Sequence, residues 1–420
     1  VTLRLCIRTV GCRTNQADSL ALEMTGRAAG FGMTDDVGQA DVVIVNSCAV
    51  TARAARDVRR MVRQARRLAP GAEVIVTGCL VEIERPELWD ALGATRVVPN
   101  AHKMQALAPH GRCGRPAPPV LRTFRPALKV QEGCSVGCAY CVVPRTRGTQ
   151  RSRPTGQVLA DASRLASAGA CEVVLTGTQL GAWGRDLSPP GSLADLVERF
   201  LLERPVPRTR LSSLEPWGCD GRLLALLAAG SVGLCRHLHV PLQSGSDRIH
   251  EAMGRPGRPE AWASLVERIA AMDRGVALGT DVLVGFPGET REDFDATREM
   301  VSGLPVAYLH VFPFSPRPST RASRLGRRPG EAEVRGRVDE LRALSVELRT
   351  RFLKGLVGSV LEVVVERSRR SGPGVVGTSS EYVRVVIEDG RSGHLGATVN
   401  ARAESVQGER VVARLEEVVE

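Results

Sequence analysis

Along the first hundred positions, short unbroken apolar runs alternate with stretches whose apolar residues fall at helical spacing. Residues 3–9, 41–46 (DVVIVN), 73–77 (EVIVT) and, more briefly, 96–98 read as strands. Between them Ala55, Val58, Val62, Ala65 and Ala69 recur at helical intervals, and another helix is expected to begin near Asp18. Strands of four to six apolar residues separated by helices predict a doubly wound parallel sheet.

A stretch from 112 to 124 has three prolines and no helical period, which marks a linker. The following segment repeats a strand-then-helix unit six times, with strands expected at 127–131, 172–176, 209–213, 236–240, 277–283 and 308–312. Six units are too few for a closed eight-unit barrel, so an open partial (β/α)6 barrel is expected. Residues 331–356 form a charged helix with Val334, Val338, Leu341, Leu344, Val346 and Leu348 on its apolar side. After Gly358 the pattern becomes two-residue alternation at 360–366, 382–387 and 410–415, predicting a small antiparallel β-barrel. The expected organisation is a sheet domain at 1–112, a linker at 113–125, the partial barrel at 126–330, a connecting helix at 331–356 and a small β-barrel at 357–420.

Composition adds three constraints. None of the apolar runs in the 420 residues approaches the roughly 18–20 needed to span a membrane. The opening VTLRLCIRTVGCRTN lacks the apolar centre of a secretory signal, so a cytoplasmic location without membrane contact is expected. The chain carries 57 Lys plus Arg against 46 Asp plus Glu, a formal charge of +11, and only Lys103, Lys129 and Lys354 are lysines. That surplus fits a nucleic-acid partner; a GC-rich genome, which inflates Arg, Ala, Gly and Pro together, accounts for it equally. Eleven cysteines in a compartment that keeps thiols reduced point to metal rather than disulfides.

Cys134, Cys138 and Cys141 form a C-x-x-x-C-x-x-C run directly after the first strand of the partial barrel. Three thiolates can hold three irons of a cubane and leave the fourth open to a small molecule, and barrel enzymes place their sites at this edge. The competing zinc reading wants a fourth ligand, usually from a second C-x-x-C pair, and no such pair lies nearby. A second set is scattered: Cys12, Cys48 and Cys79 each follow one of the first three long strands. If those strands are parallel, their carboxyl ends bring the three thiols together. Cys6, Cys113, Cys171, Cys219 and Cys235 are expected to be structural.

The first run, with Tyr140 before its last cysteine, resembles the radical S-adenosylmethionine superfamily. There the cofactor chelates the open iron, and its reductive cleavage yields a 5′-deoxyadenosyl radical. GCRTNQADS around Cys12, NSCAVTARA around Cys48 and VTGC ending at Cys79 resemble the amino-terminal domain of the methylthiotransferases within that superfamily. The resemblance continues through KVQEGCSVGCAYCVVPRTRG, RSRP, RLSSLEP, HLHVPLQSGSD, GTDVLVGFPGET and HVFPFSPRPST, in order and over almost the whole chain. It implies two [4Fe-4S] clusters, an auxiliary one on Cys12, Cys48 and Cys79 and a radical-forming one on Cys134, Cys138 and Cys141, with S-adenosyl-L-methionine as cofactor. The clusters and cofactor then carry the chemistry, with no catalytic side chain implied.

NSCAVT, LKVQEGC, GRDL, SSLEP and HVFPFSPRP look most like the branch that acts on threonylcarbamoyl-adenosine, the MtaB type. The implied reaction converts N6-threonylcarbamoyladenosine at position 37 of tRNA to its 2-methylthio derivative, with one cofactor molecule giving the methyl and a second the radical. Other branches act on N6-isopentenyladenosine of tRNA or on a ribosomal-protein aspartate, and a zinc-stabilised RNA-binding protein without turnover is the remote alternative. The threonylcarbamoyl carboxylate suits a bidentate guanidinium, for which Arg145, Arg147, Arg151 and Arg153 are candidates; tRNA phosphate or solvent serves each of them as well. The carboxyl-terminal segment with GTSSEYVRVVI resembles the TRAM domain, an RNA-binding module, with Arg367, Arg369 and Arg370 as a basic cluster or a solvated turn. Tyr382 is assigned to its core.

The resemblance implies as partners the anticodon stem-loop of tRNA, an electron donor and a sulfur source; a monomer is expected. Gln179, Ser213, Glu215, Gln243 and Asp281 stand at expected barrel strand ends, suited to holding cofactor or base, or alternatively to capping a helix or tying a loop. His237 and His239 share one strand face and are read as barrel histidines, because no acidic or thiol partner is spaced to join them. Gly285 and Gly288 are read as turn glycines. Asp18 and Gln179 depart from the family pattern, at places expected to touch no cluster ligand.

Overall fold

The computed structural model describes residues 2–110, 117–272, 275–369 and 373–419. Cys113, Arg370 and the first part of the linker lie outside them.

Five parallel strands build the amino-terminal sheet, in the order Gly32–Met33, Arg4–Thr9, Val42–Ser47, Glu73–Gly78, Arg96–Val97. Val42–Ser47 is buried along its whole length, as a central parallel strand covered on both faces must be. The first helix, Arg13–Ala28, starts earlier than its apolar pattern suggested. Cys12 is extended and its carbonyl accepts the Gln16 N–H, so the helix begins on the cysteine itself.

Six parallel strands follow in chain order. Arg208–Leu211, Glu172–Thr176 and Ala127–Lys129 form one ladder; His237–His239, Ala277–Val284 and Tyr308–Pro313 form the next. Bridges from Thr209 to Leu234 and from Ser213 to His239 join the two into one curved, open barrel wall.

The helix Glu331–Gly355 buries Val338, Leu341 and Leu348 against this wall, but Val346 is exposed and Arg337 is buried in its place. Arg337 pairs with Glu289 at 2.7 Å and with Glu333, which offsets the buried charge, while its Nε has no hydrogen-bond partner among the described residues.

The terminal domain is a closed barrel of five strands, in the order Val360–Ser368, Val375–Ser379, Arg384–Ile387, Arg410–Val419, Thr398–Gln407. Alternation alone pointed to three. Val375–Ser379 was missed because it is buried throughout and does not alternate. Tyr382, expected inside a strand, sits instead at φ 58° in the turn before Arg384. It is half-buried, and its ring lies 4.7 Å from that of His237 at the base of the open barrel.

That base is a buried ionic cluster. Glu172 is fully enclosed between Arg208 (2.8 Å), Arg210 (2.7 Å) and Arg125 (3.3 Å). The remaining guanidinium hydrogens of Arg208 and Arg210 go to the carbonyls of Glu362, Thr378, Ser379 and Ser380, so the two barrels are docked through satisfied backbone groups. Burial alone would raise the Glu172 carboxyl, but Arg210 and Arg208 hold it well below the usual carboxylate range.

Candidate metal centres

In the amino-terminal sheet the chain order reverses between Arg4–Thr9 and Val42–Ser47, and open parallel sheets bind ligands at the carboxyl ends of strands beside such a reversal. Cys12 and Cys48 follow those two strands, and Cys79 opens the short turn after Glu73–Gly78. The three loops are tied by buried amides. Asn15 Nδ2 donates to the Ser47 carbonyl (2.9 Å), Asn46 Nδ2 to the Asn15 carbonyl (3.0 Å), and Leu80 N–H to the Ser47 hydroxyl (3.0 Å). Gly78 makes this approach possible: at φ 94°, a Cβ there would lie 2.5 Å from the Ser47 carbonyl oxygen.

Cys48 and Cys79 are buried, and both lie within electrostatic reach of Cys12. Burial pushes the Cys48 thiol up to about 11, against a backbone N–H from Val50 that favours the thiolate. Burial also raises Cys79, opposed by Arg147, whose Nε donates to its sulfur at 3.2 Å. Bare thiols in this state are protonated at neutral pH, so loading with metal must release protons.

Arg147 comes from the partial barrel, and its other nitrogens reach Glu132 (2.6 Å), Asn15 (3.2 Å) and Asp18 (3.1 Å). Asp18 also pairs with Lys103 and Lys129. Burial would raise the Asp18 carboxyl, but Lys129, Lys103 and Arg147 together pull it well below its usual range. The result is a largely buried ionic knot between the two domains that ends on a cysteine sulfur.

The second trio sits on the loop after Ala127–Lys129. Gln131, fully buried, donates to the Gly133 carbonyl (2.7 Å) and accepts the Gln179 N–H (2.8 Å). Gly133, at φ 78°, is pressed so closely on Thr149 that a Cβ would meet its carbonyl oxygen at 1.9 Å. Ala139 is clamped by backbone bonds to Met253 and Ala322. Burial raises all three thiols, Cys141 to about 12, and Val143 N–H points at the Cys141 sulfur (3.4 Å). Arg255 stands beside Cys138 and donates to the Tyr140 hydroxyl (3.2 Å) and to Glu215 (2.6 Å).

Among the described residues, neither trio draws all its sulfurs within 4.8 Å of one another. Four thiolates on one zinc, at Zn–S of about 2.3 Å, stand roughly 3.8 Å apart. A larger cluster, with N–H groups and guanidinium hydrogens turned to the sulfurs, fits this donor set better.

The polar residues singled out from the sequence take distinct places. The side-chain oxygen of Gln179 accepts Ser135 N–H (3.4 Å), which ties it to the cysteine loop. Ser213 is exposed at the barrel mouth, and Gln243 sits at φ 74° beside Val282. Glu215 holds Arg255. Asp281 accepts from His239 (2.8 Å) and His310 (3.2 Å). The sequence reading of His239 as lacking an acidic partner is therefore wrong: Asp281 and His310 join it from neighbouring strands, with ligand atoms all within 4.8 Å.

Two of the four arginines offered to a substrate carboxylate are taken. Arg147 is consumed by the ionic knot, and Arg153 by Asp161 and the Lys129 carbonyl. Asp18, expected to touch no cluster ligand, makes no direct bond to one but is linked to Cys79 through Arg147. Lys103, noted only as one of three lysines, and Arg255 were not assigned to either site from the sequence. Their partners are far away in the chain, so a single sequence carries no signal for them.

Residues 4–98 match the family model described as uncharacterized protein family UPF0004, and residues 128–301 match the radical SAM superfamily. The chain is 34% identical over 390 residues to the threonylcarbamoyladenosine tRNA methylthiotransferase MtaB of Aquifex aeolicus (strain VF5), covering 88% of this chain and 94% of the relative. It is 31% identical over 432 residues to the tRNA-2-methylthio-N(6)-dimethylallyladenosine synthase of Agrobacterium fabrum (strain C58 / ATCC 33970), covering 95% and 94%. Its fold is like that of the radical S-adenosylmethionine methyltransferase TsrM of Kitasatospora setae, at 18% identity and TM-score 0.56 over 77% of each chain. Among the described residues, no helix is long and apolar enough to cross a membrane. The chain belongs to the radical S-adenosylmethionine methylthiotransferases, enzymes that use S-adenosylmethionine and a [4Fe-4S] cluster and carry a second cluster.

Proposed function

We propose that the chain methylthiolates carbon 2 of N6-threonylcarbamoyladenosine at position 37 of tRNA. The observation that carries methylthiolation, as distinct from the choice of substrate, is the placement of two cysteine trios at strand ends of adjoining domains, with Arg147 spanning from one domain to the other. Cys134, Cys138 and Cys141 hold the cluster that takes S-adenosylmethionine. Cys12, Cys48 and Cys79 hold the second. When bound, these groups would pass on an electron from an external donor and supply the methyl and the radical, with sulfur delivered from a separate source or from the second cluster.

The chain's own residues bind and orient. Gln179 fixes the backbone of the cysteine loop, Glu215 and Arg255 brace Tyr140 beside Cys138, and Ser213, Gln243 and Asp281 present polar atoms to cofactor and base. Arg147 and the N–H of Val50 favour thiolate at the auxiliary set. The terminal barrel and exposed Arg145, Arg151 and Arg367 meet the phosphates of the anticodon stem-loop, so affinity falls by about 0.7–0.9 log units per contact for each tenfold rise in salt. An electron donor and a sulfur source are required, and the enzyme acts as a monomer.

Resemblance to the Aquifex relative supports the threonylcarbamoyl substrate; dimethylallyladenosine is the substrate named for other relatives of similar identity. Nucleoside analysis of tRNA from a deletion strain separates them. Loss of the methylthio derivative of threonylcarbamoyladenosine, restored by this chain, is expected. Loss of only the isopentenyl derivative, or of neither, overturns the substrate.

A further inference from the structure

Arg349, on the connecting helix Glu331–Gly355, is placed unlike the other arginines near the barrel base. Its Nη2 donates to the Tyr382 carbonyl at 3.0 Å, and its guanidinium lies 5.7 Å from the centre of the Tyr308 ring. Its Nη1 is buried without a hydrogen-bond partner. A buried guanidinium hydrogen left unmet is costly, and an anion is its natural complement. Burial pulls the Arg349 pKa down, which reflects how poorly its charge is solvated.

Arg349 lines a cavity of about 380 Å³ between the partial barrel, the connecting helix and the terminal barrel, with its unpartnered Nη1 set just beneath the wall. Tyr308, His310, Tyr382, Arg384 and Glu409 also line it. Arg384 is already paired with Glu366 at 3.2 Å, as is Arg125 at 3.1 Å, whereas Arg349 makes no ion pair among the described residues and feels only the charge of Glu409 at the rim. Glu409, exposed at the rim, works against a run of phosphates more than against one carboxylate that also carries N–H and hydroxyl donors. His310 links the cavity to the polar layer of the barrel through Asp281.

We propose that this cavity receives the threonylcarbamoyl group of the substrate, with its carboxylate on Arg349; the inference rests on the substrate reading above. In adenine, carbon 2 and carbon 6 flank N1, so the two substituents diverge. A base offered to the clusters by carbon 2 therefore extends its N6 group away from them. A neutral isopentenyl group leaves the Arg349 Nη1 without a hydrogen-bond acceptor, which makes the residue a determinant of specificity.

The test uses holoenzyme prepared without oxygen and two synthetic anticodon stem-loops, one with N6-threonylcarbamoyladenosine at position 37 and one with plain adenosine. Arg349→Gln is expected to raise KM for the modified stem-loop about tenfold to a hundredfold, the worth of a charge-assisted hydrogen bond. Affinity for the plain stem-loop and iron content should stay as in the parent, and Arg349→Lys should recover part of the loss. Equal weakening toward both stem-loops would make Arg349 a phosphate contact and overturn the proposal, as would an unchanged KM. A parent enzyme that leaves the modified stem-loop unconverted would instead overturn the substrate reading beneath it.

Discussion

Cys134, Cys138 and Cys141 share one short loop, whereas Cys12, Cys48 and Cys79 come from three loops of a parallel sheet. The difference reaches beyond spacing. The loop trio is shaped by local bonds, from Gln131 to Gly133 and from Ala139 to its backbone clamps. The scattered trio exists only when the sheet is formed and the ionic knot of Asp18, Lys103, Lys129, Glu132 and Arg147 has closed across the domain boundary. A site made by tertiary structure shares the fate of that structure; a site made by one loop can outlast it.

Replacing Cys134, Cys138 and Cys141 by alanine has the largest expected effect. Formation of 5′-deoxyadenosine and of product should fall below detection, while iron drops from about eight to about four atoms per chain as the sheet-borne cluster stays. Next comes Arg147→Gln, which takes one cation from the knot and leaves Asp18 on Lys103 and Lys129 and Glu132 on Lys129. The loss of buried hydrogen bonds costs about 1–3 kcal/mol, so the melting temperature should fall and the auxiliary iron should go first, with the loop cluster retained by electron paramagnetic resonance. Loss of both clusters together would erase the distinction between the sites.

Glu215→Gln acts on the loop side alone. It weakens the brace on Arg255 beside Cys138, and the expected result is a tenfold to hundredfold loss in cofactor cleavage with unchanged auxiliary iron. The smallest effect is a pH dependence that also separates the two regions. His250 lies in the helix Asp247–Ala252, and the residue after that helix, Met253, clamps the cysteine loop. Burial, aided by Arg255, lowers its pKa to about 4. Between that value and the ordinary 6.5 the unfolded chain binds more protons, so stability falls as pH drops through this window. Asp18 is depressed, so its contribution is intact above about pH 4 and is lost only on further acidification. Melting curves from pH 7 to 5 should flatten in His250→Gln; an unchanged slope would remove His250 as the cause.

The sequence revealed most where chemistry or periodicity is local. The six parallel barrel strands and the amino-terminal sheet were readable, as was the placement of Cys12, Cys48 and Cys79 after three strands of one parallel sheet. Pairings set by tertiary contact were not. Arg147 and Asp18 lie 129 positions apart, and His239 meets Asp281 and His310 only because three strands align in register. The buried Val375–Ser379 strand and the left-handed turn at Tyr382 escaped for a related reason: one has no polar face to alternate with, the other owes its shape to docking on His237.

The most direct test is iron analysis of the Cys12, Cys48, Cys79 triple alanine variant, with 5′-deoxyadenosine and methylthiolated nucleoside measured on the same sample. About four irons per chain, continued 5′-deoxyadenosine formation and no methylthio product are expected. Iron still near eight, or cofactor cleavage lost along with product, would contradict two separately built clusters.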